Sequence, residues 1–311
     1  RSSISIIMSN IKIKIRLFID NLNLTLNTLK NRYFKRNLTV HQTSHPYLCP
    51  DTYFEISDFQ IFNKDSLKNF FQEIEKLGNK NIYIISSLVN EFILEIQSRN
   101  ILMRFNHLII GQDDVIITET LLRSIQRNFR KIFASNLMQN PNFVIPIPLG
   151  LERRAYRSAG VLKHFKKEFT IDPEKRGITF IVCWNDKTNI NREKVREIFR
   201  LSNSSLVIDK RITPSALHFL YRNSLFVPSP AGNGLDCHRT WEALYLGAVP
   251  VVLKSEYTGD ESWPVLVIDS WERFVRLEPK ALRDLYKKYA KTREQSIAFS
   301  INLLEKLKNQ I

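Results

Sequence analysis

The sequence contains few cysteines and lacks the motifs of several common enzyme classes. Its three cysteines, Cys49, Cys183 and Cys237, form no Cys-x-x-Cys pair, so neither a disulfide framework nor a zinc site is indicated. Neither Gly-x-Gly-x-x-Gly nor Gly-x-x-x-x-Gly-Lys-Ser/Thr occurs, which disfavours a dinucleotide-dependent dehydrogenase and a P-loop kinase. No apolar stretch approaches the ~20 residues that a membrane-spanning helix requires.

The charge balance is strongly positive. Lys and Arg number 46 against 31 Asp and Glu, which gives a formal net charge of +15. Such a chain favours anionic partners: nucleotides, nucleic acid or an acidic membrane surface. No helix-turn-helix, RNP or zinc-finger pattern accompanies the charge, so we expect no nucleic-acid partner. A nucleic-acid-binding protein stays open as the less favoured class.

The low cysteine content and the lack of a secretory signal predict a cytoplasmic protein. The chain begins with Arg1, so we expect either a start at Met8 or a missing upstream piece. If that piece holds an N-terminal anchor, the Golgi lumen becomes an alternative location.

Strands that alternate with helices predict an α/β fold with parallel sheets covered on both faces. We expect a basic arm over residues 1–50 and a first α/β domain over 51–150. A linker over 151–177 then leads to a second α/β domain over 178–279, and one long helix over 280–311 ends the chain. Within the first domain, the spacing of apolar residues predicts an amphipathic helix over 117–138.

The segment "SPAGNGLDCHRTWEALYLGAVPVVL", residues 229–253, carries the clearest functional signal. Gly232 and Gly234, on either side of Asn233, let a ligand approach the backbone closely. Asp236 is the predicted N-cap of the helix that follows. A helix N-terminus attracts anions, and Arg239 in its first turn adds a full positive charge.

Glu242 lies three residues after Arg239, on the same predicted helical face. This spacing suits a nucleotide whose diphosphate lies near Arg239 and whose ribose lies near Glu242, without a metal. The alternative is that Arg239 and Glu242 form only a surface ion pair. For His238, a structural role and a phosphate-binding role stay equally open.

The string "FVPSPAGNGLDCHRTWEALYLGAVPVV" resembles the donor-binding segment of exostosin-like glycosyltransferases and, more distantly, that of the α1,3-fucosyltransferases. "IPIPLGLERR" (145–154) and "CWNDKTNINREKVRE" (183–197) fit the same pattern. The resemblance is good over about 140–275, loose over 80–140 and absent in the first 50 residues. It implies two facing Rossmann-like domains (the GT-B architecture) and a C-terminal helix that crosses back to the first domain.

The resemblance also implies an activity. The chain would transfer a sugar from a UDP- or GDP-linked co-substrate to a glycan or glycolipid hydroxyl, with inversion and without a cofactor. No Asp-x-Asp metal site is present, so fixed cations would stabilise the departing diphosphate. The basic arm and the last helix would hold the enzyme peripherally at an anionic membrane. A protein that only binds sugar nucleotides is the main alternative.

Two further groups of residues complete the predicted site. The other donor-binding candidates lie in the loop "NDKTNINRE": Asn185, Lys187 and Arg192. The alternative is that this segment is only an exposed polar loop. The general base would come from the first domain, where "GQDDV" places Asp113 or Asp114 at the end of a strand. Asp51, Glu55 and Asp58 are competing carboxylates for that role.

Overall fold

The protein is described by a computed structural model over residues 44–153, 162–165, 172–257 and 259–310. Residues 1–43 of the predicted basic arm lie outside the described residues. So do residues 154–161 and 166–171 of the predicted linker.

The first domain is built on a five-stranded parallel sheet in the order β1-β2-β3-β4-β5. Its strands are β1 (Phe59–Ile61), β2 (Asn81–Ile85), β3 (Phe105–Gly111), β4 (Phe129–Ala134) and β5 (Val144–Pro146). Its helices are α1 (Pro50–Glu55), α2 (Lys64–Glu73), α3 (Val89–Ser98) and α4 (Glu119–Arg123). The middle strands are rich in Ile, Phe and Tyr and almost fully buried, as expected for a parallel sheet covered on both faces.

The second domain holds another five-stranded parallel sheet, in the order β10-β9-β8-β6-β7. Its strands are β6 (Ile178–Val182), β7 (Ser205–Val207), β8 (Ser224–Pro228), β9 (Val249–Leu253) and β10 (Leu266–Ile268). Its helices are α5 (Asn191–Arg200), α6 (Pro214–Arg222), α7 (His238–Tyr245) and α8 (Trp271–Val275). The predicted α/β class with parallel sheets is confirmed.

The strand order of the second sheet determines where a crevice opens. From β6 the chain passes through α5 to β7 on one side, and from β8 it passes through α7 to β9 on the other. The loops after β6 and β8 therefore diverge at a topological switch point, which is where open parallel sheets bind ligands. These two loops, 183–190 and 229–237, are the ones that the sequence singled out.

The predicted single helix over 280–311 is wrong in one respect. The structure has two helices there, α9 (Pro279–Tyr289) and α10 (Arg293–Gln310), because Ala290 adopts an extended conformation. Near its start α10 is bound to the second domain, where the Ser300 and Tyr245 hydroxyls lie 2.6 Å apart. Farther along, Leu304 and Leu307 pack into the core of the first domain, so α10 crosses between the domains.

The predicted helix over 117–138 is also wrong. Thr118 caps only the five-residue helix α4, and the chain then enters β4. Phe133 and Ile132 on β4 are buried, and the strand pairs with β3 on one side and β5 on the other. The apolar spacing fits a helix, but the segment instead pairs with a strand on each side and buries its apolar side chains there. Tertiary pairing thus overrides the local pattern.

No helix among the described residues is both long and apolar enough to cross a bilayer.

A buried ion pair connects the start of the first domain to the segment that leaves it. The Asp51 carboxylate on α1 lies 2.8 Å from the Arg153 guanidinium, and both side chains are fully buried. Arg153 also donates to the Gln112 side chain (3.3 Å) and lies over the Phe54 ring. The pair lies in the protein interior, so it fixes the path of the connection between the domains.

Candidate functional site

The carboxyl ends of the two sheets meet at a cleft of about 220 Å³. Its wall contains most of the residues that the sequence singled out: Asp114, Arg192, Gly232, Asn233, Gly234, Asp236, His238, Arg239 and Glu242. Cys183, Thr188, Leu217, Tyr221 and Cys237 complete it. Cys183 and Thr188 from the loop after β6 and the glycine loop after β8 therefore border the same cleft.

The glycine loop is held in place by Arg192 on α5. The Arg192 Nε atom donates to the Ala231 carbonyl (2.9 Å), and Nη2 donates to the Pro230 carbonyl (3.1 Å). Its Nη1 atom donates to the Thr188 hydroxyl (2.6 Å). A Cβ atom on Gly232 would lie 2.6 Å from Arg192 Nη2, which explains the glycine. All three guanidinium nitrogens bind protein atoms, so Arg192 supports the loop.

Asn136, which follows β4, anchors the same loop to the first domain. Its Oδ1 atom accepts the Asp236 backbone N–H (2.8 Å), and its Nδ2 atom donates to the Asp113 carbonyl (3.1 Å). A Cβ atom on Gly234 would lie 2.7 Å from Asn136 Oδ1, so the close approach requires glycine. Asn136 has a φ of 54°, a conformation that Asn tolerates better than most residues. Sequence reasoning missed Asn136 because it lies within the wrongly predicted helix.

Asp236 does not cap α7, which corrects the sequence prediction. The N-cap position belongs to Cys237, and no side chain caps the helix. The Asp236 carboxylate instead accepts the Leu149 backbone N–H (2.8 Å) and the Trp241 indole N–H (2.9 Å). These partners lie in the interdomain connection and in the second-domain core, so Asp236 fastens the two together. Burial raises its pKa to about 6, although both hydrogen bonds oppose the shift.

The raised pKa of Asp236 predicts a pH-dependent stability difference between wild type and Asp236→Asn. An acid whose pKa is raised in the folded state contributes stability below its ordinary pKa near 3.8 and loses it as the pH rises through about 6. Relative to wild type, the variant should therefore gain up to about 3 kcal/mol between pH 4 and pH 7. Urea unfolding of both proteins across this range measures the gain. Glu294→Gln, at an exposed position on α10, is the control, and a pH-independent difference for Asp236→Asn would contradict the account.

Arg239 lies in the first turn of α7 and lines the cleft. Its guanidinium carbon lies 5.4 Å from the centre of the Trp184 ring. Its Nη1 atom is buried and has no hydrogen-bond partner among the described residues. A buried N–H of a charged group is costly to leave unpaired, so Arg239 retains hydrogen-bonding capacity for an anion. Burial raises the pKa of the neighbouring Cys183 thiol, and the Arg239 charge opposes this shift.

Glu242 is buried rather than part of a surface pair. Its Oε1 atom lies 3.6 Å from Nε2 of His218 on α6, and His218 Nδ1 lies 2.8 Å from His164 Nδ1. Burial raises the pKa of Glu242, but the His218 hydrogen bond and charge outweigh it, and the net pKa is lowered. The alternative of a surface Arg239–Glu242 pair is therefore wrong. The two histidines were missed because their sequence positions give no sign of their proximity.

His238, also at the start of α7, is engaged by the interdomain connection. Its Nδ1 atom lies 2.8 Å from the Gly150 carbonyl oxygen, and Nε2 lies 3.6 Å from the Glu152 carboxylate. Burial lowers the pKa of His238, but Glu152 and the Gly150 carbonyl outweigh it, so the net pKa is raised. The His238 imidazole therefore lies at the cleft, fixed by the connection between the domains.

The two candidate bases differ in where they face. The Asp113 carboxylate accepts from the backbone N–H (3.3 Å) and the hydroxyl of Ser87, within the first domain. The Asp114 carboxylate is exposed and accepts from the Asn233 side chain across the cleft (3.1 Å). Asp114 is therefore the one that faces the second domain.

Asn185 and Lys187 lie outside the cleft wall. The Asn185 side chain accepts the Lys187 backbone N–H (3.2 Å) and caps a 3₁₀ turn over 186–188. Lys187 is exposed. The predicted donor-binding role of these two residues therefore has no support from the cleft geometry.

No family model matches the chain, and no curated protein matches it either. The resemblance to exostosin-like glycosyltransferases stays a hypothesis that rests on the quoted motifs. Among the described residues, no group of three or more His, Cys, Asp or Glu side chains is placed to hold a metal ion.

Proposed function

We propose that the chain is an inverting glycosyltransferase of the GT-B architecture, which uses a UDP- or GDP-linked sugar and a glycan or glycolipid acceptor. One observation carries the proposal. Arg239 lines the crevice at the carboxyl ends of both sheets and has a buried guanidinium nitrogen without a partner among the described residues. A site of this kind suits an anionic ligand whose charge increases during the reaction.

The second domain would bind the donor. In this proposal the diphosphate lies against Arg239 and the N-terminus of α7, which His238 also borders. Gly232 and Gly234 allow Arg192 and Asn136 to hold the loop at the edge of the cleft. Glu242, held ionised by His218, accepts hydrogen bonds from the ribose hydroxyls.

The first domain would supply the base. Asp114 takes the proton from the acceptor hydroxyl, whose oxygen attacks the anomeric carbon of the donor sugar. The bond between that carbon and the diphosphate oxygen breaks, and the nucleoside diphosphate leaves with the electron pair. Arg239 stabilises the negative charge that develops on the departing diphosphate, so this role needs no divalent ion.

The cleft must widen before a donor and an acceptor can both enter. Its 220 Å³ lies below the roughly 300–1,000 Å³ of ordinary ligand pockets. The hydrogen bond between Asn233 and Asp114 spans it. Separation of the two domains would break this bond and free the Asp114 carboxylate for the acceptor.

Thermal unfolding in the presence of nucleotides tests donor binding. In EDTA, UDP or GDP should stabilise the protein by ~2.7 kcal/mol at a hundredfold excess over its dissociation constant. Uridine and guanosine at the same concentrations should have a much smaller effect, because they lack the diphosphate that Arg239 binds. Equal effects of nucleosides and nucleoside diphosphates, or no effect of either, would overturn the proposal.

A further inference from the structure

A second concave surface, the basic groove, lies on the first domain. It has a volume of about 640 Å³, and five cationic side chains line it: Arg104, Arg123, Arg127, Arg130 and Lys131. No carboxylate is among its lining residues. The basic groove is therefore a concave site of one charge sign.

The basic groove is separate from the cleft. Arg104 immediately precedes β3, while Arg130 and Lys131 lie near the start of β4. Asp114 and Asn136, which lie at the cleft, come after the opposite ends of the same two strands. Because β3 and β4 are parallel and a six-residue strand extends roughly 20 Å, the two sites lie at opposite ends of the sheet.

Most of the cations in the basic groove have no counter-charge. Arg123 donates to the Glu119 carboxylate (2.6 Å) and lies over the Phe143 ring. The other four have no ion-pair partner among the described residues. Burial lowers the pKa of the adjacent His107 to about 4, and the charges of Lys131 and Arg130 add to that shift. An anion in the basic groove would offset the repulsion among the groove cations themselves.

We propose that the basic groove binds a compact anion with several phosphate groups, either free or as the headgroup of a lipid. The unpaired guanidinium groups of Arg104, Arg127 and Arg130 offer forked donors that match phosphate oxygens. A concave site suits a compact ligand better than a flat site would. Nucleic acid fits less well, because the Phe143 ring is covered by Arg123 and Phe129 is buried, which leaves little aromatic surface for bases to stack on.

This inference does not depend on the proposed transferase activity. Calorimetric titration of the full chain with inorganic tripolyphosphate tests the free-anion form. Flotation with phosphatidylcholine vesicles, with and without phosphatidylinositol bisphosphate, tests the headgroup form. The double variant Arg127→Gln/Arg130→Gln removes two exposed cations, and the matched control Arg276→Gln/Lys280→Gln removes two exposed cations from the second domain.

We expect the groove variant to weaken at least one of the two interactions by roughly tenfold or more, and the control by less than about twofold. Loss of tripolyphosphate binding identifies a free ligand, and loss of vesicle binding alone identifies a lipid headgroup. Equal losses in the two variants, or no binding to either probe, would overturn the proposal. So would a single-stranded oligonucleotide that binds through Arg127 and Arg130 more tightly than tripolyphosphate. Binding at the cleft is not affected by the groove substitutions, so the two proposals can fail independently.

Discussion

Arg239→Ala should lower the rate constant for sugar transfer by roughly 100- to 1,000-fold. The substitution removes a preorganised charge at the place where the diphosphate is proposed to leave. Water that enters the cleft in its place would stabilise the developing negative charge less well. Initial rates of nucleoside diphosphate release at saturating donor measure the loss in kcat. Arg239→Lys should recover only part of the rate, because it restores the charge but lacks the forked donor geometry.

The control for this substitution is Arg200→Ala, which removes an arginine from the exposed end of α5. Arg200 forms surface ion pairs with Glu197 and Asp209, and such pairs contribute little. Its rate should stay close to that of wild type. An Arg239→Ala enzyme that retains the full rate while folded would contradict the assigned role.

Asp51→Ala should destabilise the protein by about 3–5 kcal/mol. The substitution leaves the Arg153 guanidinium in the interior without its carboxylate partner, 2.8 Å away in the wild type. The cost is mainly that of a buried charge that has lost its carboxylate. Urea unfolding monitored by tryptophan fluorescence measures the change in the free energy of unfolding.

Two comparisons isolate this effect. Asp51→Leu combined with Arg153→Leu removes both charges, so it should cost less than Asp51→Ala alone. Glu197→Ala breaks the exposed pair with Arg200 and should cost about 1 kcal/mol or less. If Asp51→Ala cost no more than Glu197→Ala, the buried pair would not have the role assigned to it.

The sequence predicts the second domain and much of the cleft because the relevant signals are local. Gly232 and Gly234 mark a turn that needs close backbone contact, and the structure shows that contact with Arg192 and Asn136. Gly247 has a φ of 75° at the end of α7, the conformation that glycine commonly adopts just after a helix. The placement of Arg239 in the first turn of a helix follows from the same pattern.

The remaining features depend on contacts between distant segments. Asp236 has the sequence context of an N-cap, but the Leu149 N–H and the Trp241 indole bind its carboxylate instead. The burial of Glu242 next to His218 follows from the packing of α6 against α7. Local spacing shows neither Leu149, which is 87 residues from Asp236, nor His218, which lies on a different helix from Glu242.

The central claim is that fixed positive charge at the start of α7, led by Arg239, accepts the departing diphosphate without a divalent ion. Its most direct test is the release of UDP or GDP from nucleotide sugars by the purified chain in EDTA, compared with the same reaction in magnesium. We predict release at closely similar rates in both conditions. Binding without any release, or release only with the divalent ion present, would contradict the claim.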